Sequence, residues 1–574
     1  MKFSLIAISL LFALSLTAAA QDGGSAAHHP ERIMIMFQEH SLVPAEIRTH
    51  QKSAEPGVAG TVSLDQSQRY PMAAAFMADL GLTSLRTMVR SSRRHKTAVP
   101  GNTARDRMFI GLVQDPARFE TVLQQLRAHP EIEYAEPDFI GHGSGKRNPG
   151  GFEITVPHEP NGPFGTLSDP FPNDQFFGLQ WGLENSGQAI AEVNGVAGED
   201  INIIPAWSIT TGSSDIIVAI LDSGQPDEVP DFGDRVVPGY NFVSDNSITV
   251  DDHGHGTSVA SIALATGNNG GTMAGVDWNA KIMPIKILDE NNSGLYSWWV
   301  DGIYWAVDNG ADVLNMSVGG SSPSSFMQQA VSDAIESGAH VIACMMNENN
   351  NVPFIPASYD GVVSVGAINN LGARAVPFCW GGGSNYGSHI DLVAPGDRIV
   401  SLRSSDPTTA AYWCGTSQAT PMVAGVVSLM LSIDPELTTA EVKQILTETS
   451  RGNGSWNQFT GWGVLDAHAA VSKVLEMQET GIAQELPLTM LLDQNYPNPF
   501  NPTTFISYQV PEQSHVTLSV YSVDGRRVAV LVDGVQAAGR HSVPFDATGL
   551  GSGVYLYEMI SGGQRSVRQM TLVK

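Results

Sequence analysis

Three short motifs carry residue types that together do nucleophilic chemistry: Asp222-Ser223-Gly224, His255-Gly256-Thr257 and Gly415-Thr416-Ser417. A serine hydroxyl is a poor nucleophile at neutral pH and needs an imidazole to take its proton. The imidazole in turn needs a buried carboxylate to fix its tautomer and stabilise its charged form. These requirements make Ser417 the candidate nucleophile, His255 the base and then acid, and Asp222 the orienting carboxylate. Each motif alone is a turn, a loop or a helix cap. Their order along the chain and their placement give the signal.

Such a site also needs a donor for the developing oxyanion. Ser417 opens an apolar helix, so free backbone N–H groups and the helix dipole favour negative charge there. Gly415 permits close approach of backbone to substrate. Asn347 follows an apolar strand and its amide fits as a second donor. On spacing alone it fits equally as a turn residue in the run Asn347, Asn349, Asn350, Asn351. An esterase shares this logic, but it normally shows a G-x-S-x-G elbow and the order Ser, Asp, His, and neither occurs. A non-catalytic descendant of the fold predicts loss of one of the four residues, and all four are present.

The elements that must position these residues are legible as alternating runs. Asp215–Asp222, Lys281–Asp289, Ala311–Gly319, His340–Asn347 and Gly361–Ile368 read as strands, with helices over Tyr296–Asn309 and Ser324–Ser337 between them. That pattern predicts an α/β unit: a mostly parallel sheet with helices on both faces. Sites in such sheets form at the carboxyl ends of strands. Residues 31–143 read as a small α+β unit and 144–171 as a Gly/Pro-rich linker. The alternation around Val516–Val520 and the turn Asp524-Gly525 predict an all-β sandwich over 491–574.

With 574 residues, several domains are expected. Residues 1–20 have the basic start, short apolar run and small-residue end of a signal peptide, so the chain is expected to be exported. No later stretch reads as long and apolar enough to cross a membrane. The net charge is −27, which argues against a nucleic-acid partner. Residues 21–143 hold 13 basic and 14 acidic residues, against 17 and 44 in residues 144–574. A basic cluster at Arg90, Arg93, Arg94 and Lys96 thus precedes a strongly acidic remainder. It is either a solvated loop or one side of an electrostatic match within the precursor. Cys344, Cys379 and Cys414 allow one disulfide and a free thiol, and no pairing follows from sequence.

The segments VAILDSG, GHGTSVAS, SGLYSWWVDGIYWA, DVLNMSVGG, IPASYDGVVSVGA, LVAPG and GTSQATPMVAG resemble the subtilisin-like serine proteases over about 172–475. The resemblance implies a secreted endopeptidase working through an acyl-enzyme, acting on proteins or peptides as a monomer without a catalytic cofactor. It implies that Asn347 is the oxyanion donor and that Ser317, Val318 and Gly319 pair with substrate backbone. It places Leu295 and Tyr296 at a further subsite, and Asp231 and Asn269 at a structural calcium site. The chain departs from the family at Met346, where glycine is usual, at Ser258 and Ser261, and at Gln418, where methionine is usual.

Residues 31–143 resemble the inhibitory propeptide of that family, implying an intramolecular inhibitor cut off between about 141 and 172. Residues from Asn495 (NYPNPFNPTTF) to the final QMTLVK resemble a type IX secretion sorting domain, implying secretion machinery as a partner.

Overall fold

The recurrent apolar runs assemble into a seven-stranded sheet in the computed structural model of the chain. Its order is Tyr240–Asn241, Lys281–Lys286, Ile217–Asp222, Val313–Met316, His340–Cys344, Val363–Ile368 and Leu392–Pro395. Every neighbouring pair is parallel. The structure describes residues 27–51, 61–88, 104–147, 171–452, 454–479, 490–495, 498–511, 514–536 and 539–573. The signal-peptide region, the basic cluster at 90–96 and most of the expected linker lie outside them.

The strands read as unbroken apolar runs because helices cover them on both faces. Helix His255–Leu264 packs on Thr416–Ile433, and Tyr296–Asp308 packs on Ser325–Glu336. Ala219 and Leu221 share a core with the second pair, so the alternating Val218 and Ile220 face the other way. Thr416–Ile433 has the length and hydropathy of a membrane span, which corrects the expectation that no such stretch follows the leader. Its apolar window is 89% buried inside the protein, so the run is apolar all round because it is a core helix.

The N-terminal residues form a second sheet, ordered Ile132–Gly143, His28–Phe37, Met108–Val113, Leu82–Thr87, Thr61–Ser63. Ile33, Ile35 and Phe37 pack on this unit's own helices. Met34 and Met36, pointing oppositely, pack with Met108 and Ile110 against helices Tyr296–Asp308 and Ser325–Glu336. That two-sided burial explains why Ile33–Phe37 is apolar throughout. Residues up to Leu475 form one compact unit. From Glu476 a separate unit begins, whose strands form sheets of three and four members over a shared apolar core.

Candidate active site

Asp222 ends the strand Ile217–Asp222, and His255 opens the helix His255–Leu264. Both side chains are fully buried, with His255 Nδ1 2.7 Å from Asp222 Oδ1. The same oxygen accepts the Ser223 N–H at 2.7 Å, which fixes the carboxylate. The His255 helix is held on this strand end by Asp251, which accepts from Ser223 Oγ (2.8 Å), Gly254 N–H (2.7 Å) and Thr257 N–H (2.9 Å). The approach is close enough that a Cβ on Gly256 would stand 2.1 Å from the Gly224 carbonyl oxygen.

Ser417 lies in the first turn of helix Thr416–Ile433, fully buried. Its Oγ donates to the Ser317 carbonyl at 3.0 Å and does not bond to His255. The two meet instead across one peptide bond of the N-terminal segment. Ser144 N–H donates to Ser417 Oγ at 3.2 Å, and Ser144 Oγ lies 2.5 Å from it. Gly145 N–H donates to His255 Nε2 at 3.1 Å. Nucleophile and base therefore flank the bond Ser144–Gly145. Catalytic hydrogen bonds are often long or poorly aligned outside the reacting complex.

Asn347 follows strand His340–Cys344. Its Oδ1 accepts from Thr416 N–H (2.9 Å) and Thr416 Oγ1 (3.0 Å). A backbone N–H cannot face an NH₂ group, so this contact settles which way the amide points. Nδ2 is then buried with no partner. It lies 3.0 Å from where a Cβ of Gly415 would be, as does the Ser144 carbonyl oxygen. Any side chain at 415 would separate them.

The end of strand Ile132–Gly143 enters the crevice, with Ser144 following it. Leu295, Gly294 and Ser293 pair with Ile140, Gly141 and His142 on one side, and Val318 and Gly319 pair with Gly143 and His142 on the other. The Ser317 carbonyl accepts Ser144 N–H at 3.2 Å. Beyond the junction, Lys146 and Arg147 pair with Cys414 and Trp413. The start of the expected linker is thus a docked strand, ordered by two edges that its own sequence does not show. Tyr296 is buried behind Leu295 and its hydroxyl donates to the Ser322 carbonyl at 3.2 Å.

Sequence reasoning missed the clamp that seats this strand. Glu136 accepts from Ser324 Oγ and from Ser325 N–H (3.1 Å), and Asp138 accepts from Ser297 N–H (2.9 Å). Two carboxylates, two residues apart on one strand face, cap the N-termini of helices Ser325–Glu336 and Tyr296–Asp308. Burial pushes the Glu136 carboxyl up to about 7. Arg86 and Arg105 pair with Asp301 (3.2 Å) and Asp308 (2.8 Å), so basic side chains of the N-terminal segment do meet acidic ones of the main sheet unit.

The departures have visible consequences. Met346 takes φ +70°, the left-handed region where glycine is unstrained. Ser258 and Ser261 tie their helix to strand Ile399–Arg403 through Ser401 Oγ (2.8 Å) and Leu402 N–H (3.1 Å). Cys379 and Cys414 form a disulfide, and Cys344 is a buried free thiol.

Asp231 and Asn269 also come together. A Cβ on Gly271 would lie 2.0 Å from Asp231 Oδ1 and 2.5 Å from Asn269 Oδ1. Asp174 accepts the Asn268 N–H at 2.6 Å and leaves its buried Oδ1 without a partner. An all-oxygen set with an orphaned carboxylate oxygen suits a hard cation.

The chain is similar in sequence to known proteins. A model of the subtilase family matches residues 213–463, and one of a secretion system C-terminal sorting domain matches 494–574. The thermophilic serine proteinase of Bacillus sp. (strain AK1) is 31% identical over 66% of this chain and 81% of its own. The extracellular protease of Xanthomonas campestris pv. campestris is 32% identical over 68% and 69%. Subtilisin DY of Bacillus licheniformis is 37% identical over 45% of this chain and 91% of its own.

Proposed function

The chain belongs to the subtilase family, and on that premise we propose that Ser417, His255, Asp222 and Asn347 hydrolyse peptide bonds through an acyl-enzyme. It is a secreted or cell-surface serine-type endopeptidase carrying a C-terminal secretion sorting domain. Ser417 attacks the carbonyl carbon while His255 takes its proton. Asp222 stabilises the imidazolium, and Nδ2 of Asn347 donates a hydrogen bond to the oxygen as it gains negative charge. His255 then protonates the departing amine, and water releases the acyl group by the reverse path.

The observation that carries this reading is the seating of one peptide bond between the two reacting groups, with Gly145 N–H on His255 Nε2 at 3.1 Å and Ser144 on Ser417 Oγ. It supports residues 31–143 as an intramolecular inhibitor and Ser144–Gly145 as the bond first cut. The working enzyme is a monomer, with the C-terminal unit engaging the type IX secretion machinery. Phenylmethylsulfonyl fluoride is expected to abolish casein degradation while adding one sulfonyl group at Ser417, read by peptide mass. Full labelling with undiminished casein degradation would exclude Ser417 as the nucleophile.

Calcium would be held by Asp231, Asn269 and Asp174, joining the segment near 174 to the loop at 268–272 and supplying no chemistry to the reaction. Chelation is expected to lower Tm by several degrees, and Asp231→Ala to abolish that sensitivity. An unchanged Tm in chelator would refute the site.

A further inference from the structure

The segment lying in the crevice is nearly devoid of side chains: Gly141-His142-Gly143-Ser144-Gly145. Taking Ser144 as P1, the residue whose carbonyl is attacked, Gly143 is P2, His142 is P3 and Gly141 is P4. His142 is exposed, whereas Gly141 and Ser144 are buried.

The Ser144 side chain touches the crevice wall at its first heavy atom beyond Cβ. Its Oγ already lies 3.2 Å from both Cys344 Sγ and Thr416 Oγ1. Met346 closes the pocket further along: its Sδ is 3.7 Å from Cys344 Sγ, and a Cβ on Gly319 would meet that Sδ at 2.6 Å. Cys344 is fully buried, and burial pushes its thiol up to about 11, so it serves as a neutral floor. At P4 the obstacle is stiffer. A Cβ on Gly141 would lie 2.2 Å from Cη2 of Trp299, whose indole is fully buried. A flexible side chain yields to such an approach, but a buried ring moves only with its neighbours.

We propose that the cleft selects extended, glycine-, serine- and alanine-rich protein segments, with Cys344 and Met346 restricting P1 to small residues and Trp299 restricting P4 to glycine. This rests on the peptidase reading of Ser417 and names the substrate class of that site. P3 faces solvent and is unrestricted.

The test is a kcat/KM profile of the processed enzyme on peptides varied at P1 and at P4. Serine or alanine at P1 is expected to exceed phenylalanine and leucine by roughly 10–200-fold, and glycine at P4 to exceed phenylalanine similarly. Met346→Gly is expected to shrink the P1 ratio. For P4, full-length precursor carrying Gly141→Phe is expected to cleave itself at least tenfold more slowly. This measurement does not depend on a Trp299 variant folding. Wild-type preference for large P1 residues overturns the P1 assignment, as does an unaltered ratio in folded Met346→Gly. Unslowed self-cleavage of Gly141→Phe overturns the P4 assignment. Labelling of Ser417 by phenylmethylsulfonyl fluoride separates the two levels: labelling with large-residue preference refutes only the cleft, and casein degradation that survives full labelling refutes Ser417 as the nucleophile.

Discussion

Ser417→Ala is expected to yield a secreted chain that keeps its N-terminal segment covalently attached and degrades no casein. The wild-type chain is expected to separate between Ser144 and Gly145. The physical reason is that, among the described residues, no other nucleophile in the crevice is placed with His255 across the bond Ser144–Gly145. Cys344 touches the same Ser144 side chain at 3.2 Å, but burial raises its pKa and the base at His255 points elsewhere. Without the hydroxyl, oxyanion stabilisation and binding leave only roughly 10³–10⁴-fold acceleration over water, a range drawn from proteases with this triad. Intact mass of the purified variant measures the outcome directly. A new N-terminus at Gly145 in Ser417→Ala would show that the junction is cut by another protease.

Asn347→Ala is expected to lower kcat by roughly 10²–10³ with little change in KM, the range measured for the equivalent change in a subtilisin. Thr416 N–H holds Oδ1 at 2.9 Å, so the amide cannot turn, and its NH₂ group is left buried and unbonded. A donor held ready in this way gains its partner only as the carbonyl oxygen moves and charges in the transition state. Its loss therefore falls on kcat. Kinetics on a single peptide substrate decide the matter. A rise in KM at constant kcat would make Asn347 a ground-state contact instead.

How much of this was legible in the sequence depended on where each residue's partner lies. Asp222, His255 and Ser417 stood out because strand ends and a helix start must place them in one crevice. Asn347 was ambiguous because its orientation comes from Thr416, which is 69 residues away along the chain. The disulfide was illegible for a similar reason: Cys379 and Cys414 are 35 residues apart, and only the fold brings their Cα atoms to 6.0 Å. The strand Leu392–Pro395 is four residues long, too short for its periodicity to register. Residues 144–147 looked like linker because a Gly-rich polar run has no period of its own; Ser317 and the edge Trp413–Cys414 impose its extended shape. Trp299 sat in plain view in SGLYSWWVDGIYWA, but helical spacing cannot say that its ring reaches across to Gly141.

On the processing proposed above, the carboxylates at 136 and 138 belong to the part of the chain that is removed, but they cap two helices of the part that stays. When that strand departs, water must take over the amide groups it had satisfied, and a methionine-lined face loses its cover. The enzyme so processed would therefore keep a shape whose scaffolding has been carried away. On that processing, its lifetime outside the cell is expected to be governed less by how deep its energy well lies than by how hard the well is to leave.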